Sequence, residues 1–544
     1  MNILEPLYEI CIARMQDFQA DNKNLFKDEL GEISNKYRSN IQYFIFKSII
    51  LRNLYSVDIM AEAIEIAKLR LFLKMVAVVD VDLRADNLGL DPLPDIDFNI
   101  RCGNTLVGYA TEKQLEDSIT FGDMFARQDF KERIQQKLDI VSKTYDTFKW
   151  LQMNQQDNRE AFKEAKRQLH DKLASLNEDL NQHLYGHKPD LGYAPWLDRT
   201  HPFHWIAEFY EIMHNGGFDV IIGNPPYVET TNIDYNIDFC QNNYANLYAY
   251  CLIRCTDICK SCSYNGLIVP MSITSIRDYQ LLRNNFFNKE KLSYLTNHSI
   301  RPTSLFNGVS QRVSIVLFTN NTDDRILYTT KYIRSFDHKV LFETLQYFEG
   351  AIEKDRGWII PKIDNRIAAS VYYKINQKTK DLGGCFHSNA TGELYFKDYG
   401  ETYWIFPYDF NPMLTPVKSF KVKKVDEAYL DRMFMALNSS TFYIYYTEIS
   451  DCWHFGTWHI NEFPISISDL QKSNLSEKLS NSYKQNRIIR YDKRAGGDIY
   501  EYKVKKSKPI IDGSTRSLQS IMASTMRSLT SSSTMTSSTA WAMS

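Results

Sequence analysis

The stretch that most constrains this chain is GFDVIIGNPPYVE, Gly217 to Glu229. Val220, Ile221 and Ile222 read as a buried strand, being consecutive β-branched apolar residues. Two adjacent prolines then remove two backbone N–H donors and fix φ, so neither a helix nor a sheet ladder runs on through Pro225 and Pro226. The strand has to end in a stiff turn. Asn224 brings a side-chain carbonyl to that turn, Pro225 a backbone carbonyl and Tyr227 a flat ring. Two rigid acceptors side by side hold both hydrogens of a planar NH2 group. A ring next to them suits an amine carried on an aromatic base, which reaches such a pocket from a duplex only by flipping out.

Around this turn, strands and helices alternate. Residues 1 to 75 read as mostly helical, with Ile3, Leu4, Leu7, Ile10 and Cys11 spaced for one face, and a helix is predicted from Ala61 to Val76. Between them NLYSVDIM reads as a short strand ending in Asp58, and DFNIRCGNTLVGY as another, broken by Gly103 and Asn104. From Glu112 to Leu184 the pattern becomes charged and Gln-rich, which predicts a helical hairpin insertion. After the proline turn come a helix from about Asn246 to Ser261, a buried strand ending on Pro270, and a strand from Val313 to Asn320. That order predicts an α/β fold with a doubly wound, mostly parallel, Rossmann-like sheet whose ligands sit at the carboxyl ends of the strands, where Asp58, Asn104, Asn224 and Pro270 lie. Beyond residue 330 the segments TYWIFPYDF, TFYIYY and DCWHFGTWHINEFPIS read as short aromatic strands, turns and exposed rings of a separate mixed α+β domain. Its rings suit stacking on nucleic acid as well as an ordinary core.

Composition narrows the partners. The 544 residues carry a formal net charge of −2, so nucleic acid would have to be met by a local concentration of Lys and Arg. No run of about 18 apolar residues offers a membrane span, and the amino terminus lacks a signal pattern, so the chain reads as cytoplasmic with no membrane partner. The nine cysteines form no disulfide framework. Cys251, Cys255, Cys259 and Cys262 fall on one helical-looking stripe; zinc is one reading and a small-residue helix face the other, and no metal site is expected.

Four blocks in order, NLYSVDIMAEAIEIAKLRLFLKM, LPDIDFNIRCGNTLVGY, FDVIIGNPPYVE and RPTSLFNGVSQRVSIVLF, resemble the adenine-specific DNA methyltransferases of the type IIG restriction-modification group. The resemblance implies methyl transfer from S-adenosylmethionine to the N6 amine of a flipped adenine in double-stranded DNA. Asn224 and the Pro225 carbonyl would accept from the amine, Pro226 would stiffen the turn and Tyr227 would stack on the base. Asp58, with Ile59 beside it, matches the acidic position that binds the cofactor ribose, or else serves as a helix cap. Gly103 and Asn104 match the position near the cofactor adenine, or form a plain turn. Phe306 resembles a position packing near the target base, or is core. The family's strand and Gly-rich turn of the Asp-Pro-x-Cys-Gly-Ser-Gly type would precede NILEPLYEI, yet the first glycine is Gly31. The expectation is a chain lacking that motif and any nuclease region before it, helped by a companion polypeptide. A DNA-binding remnant and an RNA or protein amine methyltransferase remain the competing readings.

The expected organisation is therefore the amino-terminal part of a methyltransferase domain (1–110), a helical insertion (111–200), the catalytic part (201–330), a target-recognition domain (331–512) and a tail (513–544). The Ser/Thr/Met-rich tail reads as disordered, or as a frameshifted translation.

Overall fold

A computed structural model describes Ile3 to Ile521, apart from residues 38, 82, 84–92, 120–123, 155–158, 187–191, 290–291, 307–309, 320–325, 336, 338–340, 351–358, 377–381, 399–406, 417, 419, 466–471 and 494–495. It divides into two compact units: Met1–Phe218 with Thr231–Asn243 and Tyr250–Lys260, and Asp219–Thr230 with Tyr244–Ala249 and Ser261–Ser544.

In the first unit β1 (Ser56–Asp58) and β2 (Ile100–Cys102) pair in parallel, Asp58 opposite Cys102. The connection between them carries the helix Ala61–Val76, built of Ala, Glu, Leu and Lys, all strong helix formers. The expected bounds of that helix and the expected end of β1 at Asp58 are those observed. The charged insertion is a pair of long helices, Met124–Asn154 and Arg159–Tyr185. Leu169, Leu173, Leu176 and Leu180 recur at helical spacing along the second, and bury against Ile134, Leu138 and Val141 of the first.

The second unit holds a six-stranded sheet in the order β3-β4-β6-β5-β7-β8, formed by Phe218–Gly223, Cys259–Pro270, Leu292–His298, Val313–Thr319, Ile326–Ile333 and Phe348–Gly350 in chain order. The expected mostly parallel, doubly wound sheet differs from the pairings observed among the described residues. β6 runs antiparallel to both β4 and β5, β8 runs antiparallel to β7, and β5–β7 is parallel. The reason lies in the connections. A parallel return needs a crossover of about a dozen residues or more, usually helical. The helix Gln280–Lys289 supplies one ahead of β5, whereas no described helix separates β5 from β6. β3 also departs from expectation: it lies at the sheet edge, and Val220 and Ile222 are 60% and 78% exposed rather than buried.

β9 (Gly392–Lys397) pairs antiparallel with β10 (Phe420–Val425), and β11 (Arg487–Asp492) with β12 (Gly497–Tyr502). TFYIYY is helix, not strand, within Ser440–Ile449, and Phe442, Tyr443, Tyr445 and Tyr446 are buried core rather than exposed rings. Its aromatic composition favours strand on propensity, but Ser439 caps the helix by accepting from Phe442 N, and burial of the rings decides the outcome. In DCWHFGTWHINEFPIS the residues Thr457–Asn461 are also helical. Residues 402–406 of TYWIFPYDF lie outside the described residues. The helix Lys508–Ile521 crosses position 513, the start assigned to the tail. Ile511 is fully buried, Ser514 Oγ donates to Met435 O, and Thr515 Oγ1 accepts from Ser440 N. Residues 522–544 lie outside the described residues. No described helix is long and apolar enough to cross a membrane.

Candidate active site

The first unit holds Asp58, Ile59, Gly103 and Asn104 together. The parallel β1–β2 pair ends with Asp58 O accepting from Gly103 N at 2.9 Å, which brings the two loops side by side. Asp58 is exposed, and its Oδ1 accepts from Met60 N at 2.8 Å. It thus closes a turn ahead of the helix Ala61–Val76, whose N-cap position is Met60 and has no side-chain cap hydrogen bond, so Asp58 is not the helix cap. Ile59 is also exposed, and its carbonyl accepts from Cys102 Sγ. Burial first and the neighbouring Asp58 second push the Cys102 thiol above its ordinary range.

Asn104 is buried, with its N donating to His201 O at 2.7 Å and its Oδ1 accepting from Leu106 N at 3.1 Å. Its Nδ2 is buried without an acceptor, and the Tyr235 hydroxyl is a polar neighbour of the side chain. The loop that follows is clamped from two sides. On one, Phe203 N donates to Val107 O, and Gly108 takes φ +121° because a Cβ there would stand 2.4 Å from Phe203 O. On the other, buried Arg254 donates from Nη1 to Gln114 Oε1 at 2.9 Å and from Nη2 to Gly108 O at 3.2 Å. Gln114 Nε2 in turn donates to Asp257 Oδ2 at 2.9 Å. The Arg254 guanidinium lies 3.6 Å from the Phe239 ring centroid, and burial lowers its pKa to about 10. None of this network was legible in the sequence, since Arg254 and Gln114 are 140 positions apart.

His204 anchors the same loop: its Nδ1 accepts from Tyr109 N at 3.1 Å, so Nε2 carries the hydrogen and donates to Asn181 Oδ1 at 2.9 Å. Full burial, with Arg254 next, pushes its pKa down to about 3. The unfolded imidazole, at about 6.5, binds a proton that the folded one refuses, so stability is complete above pH 6.5 and falls as pH drops toward 3. By pH 5 the expected loss from this residue is about 2 kcal/mol. Urea unfolding at pH 7.5 and pH 5 measures it: the pH-dependent loss in His204→Gln should be smaller by that amount, and an equal loss in both proteins refutes the assignment.

The second unit holds Asn224, Pro225, Pro226, Tyr227 and Phe306. Asn224 and Pro226 are exposed, Pro225 and Tyr227 half-buried. The Tyr227 hydroxyl hydrogen is shared between Asn224 Oδ1 at 2.9 Å and Ile268 O, on β4, at 3.0 Å. Burial pushes the Tyr227 hydroxyl up to about 12, so it stays a donor at neutral pH. The ring expected to stack on the base is tethered at its tip, and that tether fixes which atom of the Asn224 amide is the acceptor. Beyond the turn, Leu247 N donates to Val228 O and Thr230 N to Ala245 O, closing the segment against the start of the helix Leu247–Ile258.

Register places the surrounding strand ends. Pro270 and His298 both stand opposite Val313, so the carboxyl ends of β4 and β5 are level. The turn is thus tied two residues before the end of β4, and Phe306, half-buried, sits in the loop that leaves the level end of β5. Buried Arg283, which sequence reasoning missed, holds the turn after β4 by donating to Ile273 O at 3.0 Å and Ile276 O at 2.8 Å.

The helix bearing Cys251 and Cys255 ends at Ile258, so Cys259 and Cys262 lie on β4 and the four do not share one helix. No group of three metal-ligating side chains converges among the described residues. Burial pushes the Cys251 thiol up to about 12, which makes it a poor nucleophile.

Residues 52–302 match the family model described as Eco57I restriction-modification methylase. Over 305 residues the chain is 28% identical to a putative type II restriction enzyme and methyltransferase of Methanocaldococcus jannaschii, an alignment covering 48% of this chain and 25% of that protein. The chain spans about a quarter of the relative it matches. Among solved structures it is similar to the Type IIL restriction-modification enzyme MmeI in complex with DNA, at 12% identity and TM-score 0.36 over 98% of this chain and 78% of that one. It is also similar to LlaBIII, an ATP-dependent Type ISP restriction-modification enzyme bound to DNA, at 9% identity and TM-score 0.34 over 82% and 35%. The matched residues 52–302 carry Asp58, Gly103, Asn104 and the Asn224–Tyr227 turn, so every site position singled out so far except Phe306 lies inside the stretch similar to that methylase family.

Proposed function

We propose that this chain transfers a methyl group from S-adenosylmethionine to the N6 amine of adenine in double-stranded DNA, within a cytoplasmic restriction-modification system of the type IIG kind. The observation that carries the reading is the Asn224–Tyr227 turn, with a fixed acceptor at its tip, lying inside the stretch similar to that methylase family. A planar amine presents two hydrogens and accepts nothing useful from donors, so the turn's chemistry has the right sign. Asn224 Oδ1 takes one hydrogen and the Pro225 carbonyl the other, which draws the nitrogen toward a tetrahedral arrangement with its lone pair exposed. Tyr227 supports the flipped ring by stacking, and Phe306 packs near it. Asn224 Oδ1 orients the amine but is too weak a base to keep its proton, which passes to water at the exposed turn.

The methyl donor contributes an electrophilic methyl on a sulfonium, so positioning rather than a tuned general base carries the step. Two features of the first unit fit its adenosyl portion. Asp58 is an exposed carboxylate at a strand end, suited to a ribose diol. Asn104, beside Gly103, holds a buried amide nitrogen whose polar neighbour is the Tyr235 hydroxyl, a donor of the kind an adenine ring nitrogen accepts from.

Incubation with methyl-labelled S-adenosylmethionine and mixed-sequence plasmid DNA, followed by nucleoside analysis, tests the reading. Labelled N6-methyladenine is the expected product. Label in N4-methylcytosine, in RNA or in a protein glutamine would replace the substrate, and no transfer to any of them would overturn the enzyme reading. Asp58→Asn should weaken calorimetric S-adenosylmethionine binding about tenfold or more, the loss of a charged hydrogen-bond acceptor being worth roughly 1.5–3 kcal/mol. Unchanged affinity in that variant would return Asp58 to its turn-forming role alone.

A further inference from the structure

We infer that the β11–β12 ribbon is the element of this chain that enters a groove of double-stranded DNA. The inference rests on the DNA substrate proposed above and names the surface that meets it. From Lys484 to Lys508 the sequence holds nine Lys and Arg against three acidic residues, a surplus of six positive charges in a chain whose net charge is −2. This is the local basic concentration that composition as a whole conceals.

The geometry is that of a ribbon held through β12, with β11 turned outward. β11 and β12 pair antiparallel with each other and with no other described strand. At the base, Tyr502 donates from its hydroxyl to Pro412 O at 3.0 Å, and its ring lies 4.9 Å from that of Tyr408. There too Lys503 N donates to Asn486 O at 2.9 Å, while at the turn end Thr415 Oγ1 donates to Asp498 O at 2.8 Å, so β12 is held at both ends. On the outward strand, β11, Ile488, Ile489 and Tyr491 are 46%, 62% and 64% exposed. Alternation along the strand puts Arg487, Ile489 and Tyr491 on one face, with Tyr500 opposite Ile489. The Arg487 guanidinium lies 4.0 Å from the Tyr500 ring centroid, so its side chain is braced on the ribbon.

Charge selects the occupant. Two of the three acids are already engaged: Asp492 pairs with Arg490, and Glu501 with Arg490 and Lys503. Lys493 is exposed at the turn, and Lys505 and Lys506 are exposed just beyond β12, so positive charge brackets the apolar face at both ends. Lys508 is engaged by Asp512 just past that segment, which leaves a surplus of five; exposed Ile and Tyr alone would suit a protein partner or a second copy, but so much positive charge beside them favours a polyanion. A two-stranded ribbon fits the DNA major groove, about 12 Å wide. There Arg487 and Tyr491 meet base edges and Ile489 a thymine methyl, while the bracketing lysines meet phosphates.

The test is binding of the full chain to a labelled random-sequence duplex pool across a salt series, with sequencing of the retained fraction. In Lys493→Gln/Lys506→Gln the slope of log affinity against log salt should shrink by about 1.8, or 0.9 per phosphate contact. In Ile489→Ser/Tyr491→Ala the slope should hold, while enrichment at one or more base positions falls about tenfold. All four positions are exposed, so the unfolding midpoint should not move. If the unaltered chain binds the duplex and both variants match it in slope and enrichment, the ribbon assignment falls while the substrate reading stands. If the unaltered chain binds no duplex at low salt, both fall. Loss of self-association in the Ile489/Tyr491 variant with DNA binding intact would make this face a contact between copies and overturn the inference.

Discussion

Asn224→Ala is expected to lower the methyl-transfer rate by about 100- to 1,000-fold, the loss typical of removing one preorganised group that acts on developing charge. Stability should hardly change, because Asn224 is exposed and its hydrogen bond is to the Tyr227 hydroxyl. That combination separates a catalytic role from a structural one. Tyr227 carries two separable contributions, its ring and its hydroxyl. Tyr227→Ala removes the ring, and base stacking is worth roughly 1–3 kcal/mol, so a five- to 150-fold loss is expected, chiefly in DNA-dependent terms. Tyr227→Phe keeps the ring and cuts the tether between Asn224 Oδ1 and Ile268 O. Its loss should be about tenfold and should fall on kcat, because a loosened Asn224 misplaces the amine without weakening duplex binding. Steady-state kinetics on plasmid DNA decide the order. Full activity in Asn224→Ala would sink the acceptor role, and equal damage in Phe and Ala at position 227 would move the role of Tyr227 from its ring to its hydroxyl.

What was legible in the sequence follows from what is local. Ala61–Val76 could be bounded because its helix formers run unbroken, whereas for the strand in NLYSVDIM only the end at Asp58 was legible. The proline turn was legible because two missing donors admit no alternative. TFYIYY was misread for the converse reason: Thr, Phe, Tyr and Ile favour strand individually, and only the buried environment of Ser440–Ile449 makes helix the better outcome. The sheet was misread where helices stop: β6 slots antiparallel between β4 and β5, an order no run of residues announces. At the site, residue types were legible and their partners were not. Nothing around Tyr227 points to Ile268, 41 positions on, and nothing around Gly108 points to Arg254.

That last contact carries the second large effect. Arg254 is 2% exposed and is the cation that binds Gly108 O, Gln114 and, at 3.6 Å, Asp257. Arg254→Met is close in volume but leaves the Asp257 carboxylate, already raised in pKa by burial, without its cation. Losing the donors to Gly108 O and Gln114 beside a half-buried Asp257 costs about 1–3 kcal/mol, so Arg254→Met should unfold at lower denaturant. Arg254→Lys keeps the charge but not the planar fork that serves Gln114 and Gly108 together, and should fold with a smaller loss. The informative difference is in the loop. Amide hydrogen exchange at Val107 to Tyr109 should accelerate in Arg254→Lys by about tenfold while the helices Met124–Asn154 and Arg159–Tyr185 keep their protection, because local opening needs less than global unfolding. On the proposed reading the same variant binds S-adenosylmethionine more weakly, since Gly103 and Asn104 begin that loop. Faster exchange with unchanged cofactor affinity would leave the clamp in place and remove the loop from the donor site. Unchanged exchange would show that Phe203 and His204 hold the loop without Arg254, and the clamp would have one side instead of two.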